Sequence, residues 1–283
     1  MNQYEEAIKQ LENRYKELER EHRPVNAWKI LNEYVKPAIP FVGKNYFKQP
    51  KGQRVLVYAS AENLTWLDPN VENDYYCSFE AMHRSRKNFE GDSFYPNVHI
   101  QPINDGGLLI ATNRVMRFFF KKEYDEYPRE FIERISCANY GKFTIMDSDD
   151  GNMSDEKNRT KKRKNIDYAS NPKLLDFSKE YVKADLEILK PDYIIMPKTM
   201  YFKGKQEQFL KSTAPNATIV KIMQINNGNV NRHINRMKLP EYQLTAMEEV
   251  WRGQVYGYKK ENFLKVYPYI DQVCNKVCEK QCK

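Results

Sequence analysis

Three polar clusters in this chain each stand at the end of an apolar, β-branched run. Ser60, Glu62 and Asn63 follow Arg54-Val55-Leu56-Val57-Tyr58-Ala59. Asn139, Tyr140 and Lys142 close Arg134-Ile135-Ser136-Cys137-Ala138. Asn226, Asn227, Asn231, Arg232 and His233 follow Ala217–Ile225. The chemistry open to such a set is limited. A side-chain amide carries a donor and an acceptor together and so matches the edge of a nucleobase. A carboxylate or amide can orient a water for hydrolysis. No glycine-rich phosphate loop follows the first run, which argues against a nucleotide triphosphatase or a nicotinamide enzyme. No nucleophile elbow is present, and no His, Cys and Asp spacing fits zinc. No metal and no cofactor is expected.

The elements that must position these residues are legible as a pattern. The apolar run at 54–59 reads as a strand buried on both faces of a parallel sheet. Gly106-Gly107-Leu108-Leu109-Ile110-Ala111 opens a helix that continues through Phe119, and a further helix is expected at about 128–133. The second strand is 134–139. A helix at 172–189 ends at Lys190-Pro191, and Asp192–Pro197 is a third strand. A short helix at 205–211 precedes a fourth strand at 217–225. Phe94–Ile100 reads as a further short strand. Alternating strands and helices predict a three-layer α/β/α fold with a central, mostly parallel four-stranded sheet. In such sheets ligands bind beyond the carboxyl ends of the strands, where the three polar clusters would converge.

Extensions flank this unit. Residues 1–45 are expected to form an N-terminal helical arm. Tyr4, Ile8, Leu11, Tyr15 and Leu18 give one apolar stripe, broken by Pro24, and a second helix runs from Asn26 through Tyr34. Residues 46–240 form the α/β domain and 241–283 a helical extension packed on it. The stretch 147–164 is charge-segregated, acidic and then basic, and reads as a loop.

The chain has 283 residues, with 46 Lys and Arg against 38 Asp and Glu, a formal charge of +8. That balance favours a polyanionic partner. Five cysteines, no secretory signal and no apolar run of membrane-spanning length predict a reduced, cytoplasmic setting without a membrane. A monomer is the expected state. Cys274, Cys278 and Cys282 recur every four residues as a helical stripe.

The order of these segments resembles the uracil-DNA glycosylase superfamily across roughly residues 50–235. Val55–Asn63 is similar to its first strand and water-activating loop, and Gly106-Gly107-Leu108-Leu109 to its helix start. Ala138-Asn139, with Lys142 three residues on, is similar to the strand whose Asn reads the base. Leu189-Lys190-Pro191-Asp192-Tyr193-Ile194-Ile195 matches the next strand, and Gln224–Arg232 occupies the place of the final loop. There are departures. The water-activating position falls on Ser60, with Glu62 two residues later. The His of the final loop falls near Asn226, with His233 the nearest substitute.

The resemblance implies a DNA glycosylase acting on a base flipped out of DNA. Glu62, Asn63 and His233 would be catalytic. Ser60, Asn139, Tyr140, Asn226 and Asn227 would bind the base. Arg84, Arg86, Lys87, Lys142, Lys161, Lys162, Arg163 and Arg232 would hold the DNA backbone. Phe79, Tyr140 and Phe143 are candidates for stacking on the base. The altered loops suggest a modified base, as in phage DNA, and hence a part in phage defence. A catalytically inactive nucleic-acid-binding module on the same fold is the alternative.

Overall fold

The computed structural model describes residues 2–24, 27, 29–30, 33–34, 37, 39–61, 107–122, 131–143, 172–223, 230, 232–237 and 263–282. The expected strand at 94–100, the charged stretch 147–164 and the first half of the expected helix at 128–133 lie outside them.

Helix α1, Gln3–Leu18, begins in a capping box: the Asn2 side chain accepts from the Glu5 N–H, and the Glu5 carboxylate accepts from the Asn2 N–H. It buries Ile8, Leu11, Tyr15 and Leu18 of the predicted stripe, with Ala7 beside them, and leaves Tyr4 half-buried. Each fully buried Leu or Ile contributes about 1.5–3 kcal/mol. Among the described residues of 26–34, the second helix expected in the arm does not appear. Lys29–Ile30 (β1) and Glu33–Tyr34 (β2) instead pair as a short antiparallel ladder.

The main sheet has five strands, one more than expected. These are β3 (Phe41–Val42), β4 (Val55–Ala61), β5 (Ser136–Gly141), β6 (Tyr193–Pro197) and β7 (Thr218–Ile222), in the order β3-β5-β4-β6-β7. All neighbours are parallel except β3, which runs antiparallel to β5 through Phe41↔Cys137 and Val42↔Ser136. A two-residue strand carries no periodicity, so β3 left no trace in the sequence pattern, and it brings part of the expected arm into the sheet.

Helix α2 (Gly107–Phe120) connects β4 to β5. Helix α3 (Lys179–Leu189), entered through a 3-10 segment at Pro172–Ser178, connects β5 to β6. Helices α4 (Lys198–Phe202) and α5 (Glu207–Thr213) lie between β6 and β7, and α6 (Phe263–Gln281) follows. The step from β4 to β5 goes one way across the sheet, with α2 on one face. The steps to β6 and β7 go the other way, with α3 and α5 on the opposite face. That reversal is what a single crossover hand demands.

Alternation along the strands builds two cores. Leu56, Tyr58, Ala138, Tyr140, Ile194 and Met196 pack with α1 and α3. Val55, Val57, Cys137, Ile195, Val220 and Ile222 pack with α2 and α6. The α1 helix is thus part of one helical layer and α6 part of the other. Helix α3 stops where Lys190 turns left-handed (φ 48°) ahead of Pro191. Among the described residues, no helix is long and apolar enough to cross a membrane.

Candidate functional site at the carboxyl edge of the sheet

The sheet changes character towards its carboxyl edge. Pairing of β4 with β6 ends at Val57↔Ile195. The ladder of β4 with β5 runs on to Ala61↔Gly141, and that of β6 with β7 to Pro197↔Ile222. The connections reverse direction beside this seam, the place where open α/β sheets form ligand crevices.

Two predicted base-binding residues lie at this edge on opposite faces, Ser60 on β4 at the seam and Asn139 on β5, one strand further away. Ser60 lies within β4 rather than in a loop, because pairing with β5 continues past it. It follows Tyr58 by two residues and so shares the α1/α3 face. Asn139, opposite Ala59, is buried and follows Cys137 by two, which puts it on the α2/α6 face. The segment after β7 packs on that same face through buried Val230 and Ile234, with His233 half-buried and Arg232 exposed between them. Glu62, Asn63, Asn226, Asn227, Asn231, Arg84, Arg86, Lys87, Lys161, Lys162, Arg163 and Phe79 lie outside the described residues.

Two expectations are corrected. Lys142 does not face solvent as a phosphate contact would. Its Nζ donates to Asp185 Oδ2 at 2.6 Å, and the two side chains are 1% and 0% exposed. Tyr140 and Phe143 are not free faces for a base either. The Tyr140 hydroxyl donates to Gln206 Oε1 at 3.0 Å, its ring meets Tyr58 edge-on, and Phe143 meets Tyr181 edge-on within the core.

These side chains form a polar network inside the α1/α3 layer. Asp185 Oδ1 accepts from the Tyr15 hydroxyl at 2.7 Å, and Oδ2 accepts from the Tyr58 hydroxyl at 3.0 Å as well as from Lys142. The Lys142 ammonium lies 5.4 Å and 5.5 Å from the centres of the Tyr15 and Tyr58 rings. The Lys142 N–H donates to Ser178 Oγ, and Gln206 Nε2 donates to the Gly204 carbonyl. Burial pushes the Asp185 carboxyl up from its ordinary range, opposed by Lys142 and by the Tyr15 and Tyr58 hydroxyls. Burial, then the Asp185 charge, pushes both tyrosines well up. The Tyr140–Gln206 bond joins β5 to the turn after α4, so the network spans the seam on this face.

Asp185, Gln206 and Ser178 were missed in the sequence. One signal was there: Asp185 falls four residues after Tyr181 and four before Leu189, on the buried stripe of α3. An acid on an apolar stripe is costly unless paired, which points to a cation elsewhere.

The cysteine stripe is apolar in character. Cys274 and Cys278 are buried between α6 and α2, and Cys274 Sγ lies 3.6 Å from the Ala111 carbonyl. Burial pushes the Cys278 thiol up to about 12 and the Cys274 thiol higher, so both stay protonated at neutral pH. Cys282 is exposed. Among the described residues, no group of three or more His, Cys, Asp or Glu is placed to hold a metal ion. Comparison with protein-family models, with characterised proteins and with solved structures returned no match.

Proposed function

We propose that the protein is a DNA glycosylase that takes a modified or non-standard base out of DNA and hydrolyses its N-glycosidic bond. The observation that carries this reading is the placing of the motif-bearing segments. Strand β4, the helix start at Gly107, the strand that carries Asn139, Lys190-Pro191 and the strands after it follow in order around one mostly parallel sheet. Ser60 and Asn139 stand near the carboxyl ends of neighbouring strands of that sheet.

In this reading the flipped nucleotide enters at that edge, at a cost of a few kcal/mol of unstacking. Asn139 pairs with the base. Glu62 or Asn63 orients a water towards the anomeric carbon as positive charge develops there, a bond from the water oxygen replaces the bond to the base nitrogen, and the proton that the water loses ends on the released base. The electron pair departs with the base, supported by Asn226 or His233.

The test is base release from DNA carrying uracil, hypoxanthine or hypermodified cytosines. Release from modified DNA is expected, and it should disappear in Asn139→Ala and Glu62→Gln while both variants stay folded. Release of uracil alone would exclude a modified-base substrate, and full activity in both variants would remove the assignment of these residues. A second reading, a non-catalytic DNA-binding module, is favoured by one observation. Ser60 stands at the water-activating position on the face opposite Asn139. DNA binding without release of any base would decide for it.

A further inference from the structure

Phe202, the last residue of α4, is 50% exposed and is the large hydrophobic side chain most open to solvent among the described residues. It sits at the carboxyl edge of the sheet, because α4 starts on the residue after β6 ends. Its ring is held from behind. Tyr201, itself buried, meets it edge-on with ring centres 4.9 Å apart. The surroundings are cationic. Lys198, one helical turn earlier, places Nζ 5.9 Å from the Phe202 ring centre, and Lys221 on β7 places Nζ 4.9 Å from that of Tyr201. Lys203 and Lys205 follow, both exposed. Glu207 is the sole acid in residues 198–211, and it is tied to Lys211 at 2.7 Å.

A rigid, exposed aromatic ring among flexible ammonium groups suits a ligand carrying planar apolar groups at intervals along an anionic backbone. We infer that the Phe202 platform binds single-stranded DNA next to the site, stacking one unpaired base on Phe202 while Lys198, Lys203, Lys205 and Lys221 hold adjacent phosphates. The choice of DNA rests on the glycosylase reading, in which a strand with an extruded base lies across this edge. The charge and the exposed ring select a nucleic-acid strand over an apolar protein segment. Lys198, already beside the ring, moves to a phosphate as the base takes its place.

The test is fluorescence anisotropy with a labelled oligothymidylate and with an abasic strand of equal length, which keeps the phosphates and lacks the bases. Phe202→Leu keeps the apolar bulk and removes the plane. It should weaken oligothymidylate binding about tenfold or more, leave abasic binding unchanged and be rescued by Phe202→Trp. Joint replacement of Lys203 and Lys205 by Gln should weaken both strands and lower the slope of log K against log salt by about 1.4. Wild-type affinity in Phe202→Leu overturns the inference, as does wild-type protein that binds neither strand or binds oligouridylate much more tightly. The two readings fail separately. Base release with an unaffected Phe202→Leu variant removes the platform alone, and a weakened variant of a protein that releases no base removes the glycosylase alone.

Discussion

Lys142 and Asp185 face each other across 2.6 Å in the layer between the sheet and α3, with neither side chain open to water. An ion pair in such a place is sensitive to the loss of one partner, because the other charge is left buried and uncompensated. Replacing Lys142 by Met, or Asp185 by Asn, should each cost about 3–5 kcal/mol of unfolding free energy. The double variant Lys142→Met, Asp185→Asn should cost clearly less than the sum. Urea unfolding of the three proteins measures this, and strict additivity would mean that the pair is not coupled.

Alkali should unfold the protein with a definite sign. The folded-state ionisation of Tyr15 and Tyr58 is pushed well above 10.0, by burial first and then by the Asp185 charge. Below that pH both hydroxyls are protonated in folded and unfolded chains, and their contribution is fully present. As pH rises past it the unfolded chain releases protons that the folded chain keeps, so stability falls by about 1.4 kcal/mol per pH unit for each such tyrosine. Urea midpoints at pH 8, 10 and 11 should drop in that order, with a shallower drop in Tyr58→Phe.

The thiols should divide by position. In a Cys77→Ser background, a thiol reagent at neutral pH should modify one cysteine quickly, and Cys282→Ser should abolish that fast phase. Cys137, Cys274 and Cys278 should react only as fast as the protein opens. Rapid labelling of Cys274 in native conditions would contradict the packing of α6 on α2.

The same packing makes α6 integral to the fold. Ile270 is fully buried against the α2 face of the sheet, and Ile270→Ala should lower stability by about 2–5 kcal/mol. Arg114 in α2 reinforces the contact, its Nε lying 2.5 Å from Asp271 Oδ1. A change under 1 kcal/mol in denaturant unfolding would show that the helix is only loosely attached.

These contacts explain what could and could not be read from the sequence. The runs at Val55–Tyr58 and Tyr193–Met196 are apolar on both sides, so their place in a parallel sheet was legible, as was the stripe of α1. Residues 29–34 misled because Ile30, Leu31 and Tyr34 stand at helical spacing, while strands of two residues carry no period of their own. Lys142 misled for another reason. A lysine just beyond a strand normally faces water, and only the three-dimensional arrival of Asp185, Tyr15 and Tyr58 turns it inward. The network joins α1, β4, α3 and the end of β5, and a linear pattern does not encode which face of each element meets the others. Ser60 and Asn139 were legible as polar strand ends, but their opposite faces follow from the register Ala59↔Asn139.

The Tyr15–Asp185 hydrogen bond joins residues 170 positions apart. During synthesis, α1 leaves the ribosome while the acid that its hydroxyl meets is still unmade. At about 5–20 residues per second, that gap lasts roughly 10–30 s. Through that interval the stripe of Ile8, Leu11 and Leu18 lacks the α3 surface that later covers it. Helix α1 is therefore made well before the helix it packs against, and it depends in the meantime on whatever shields an apolar stripe on a nascent chain.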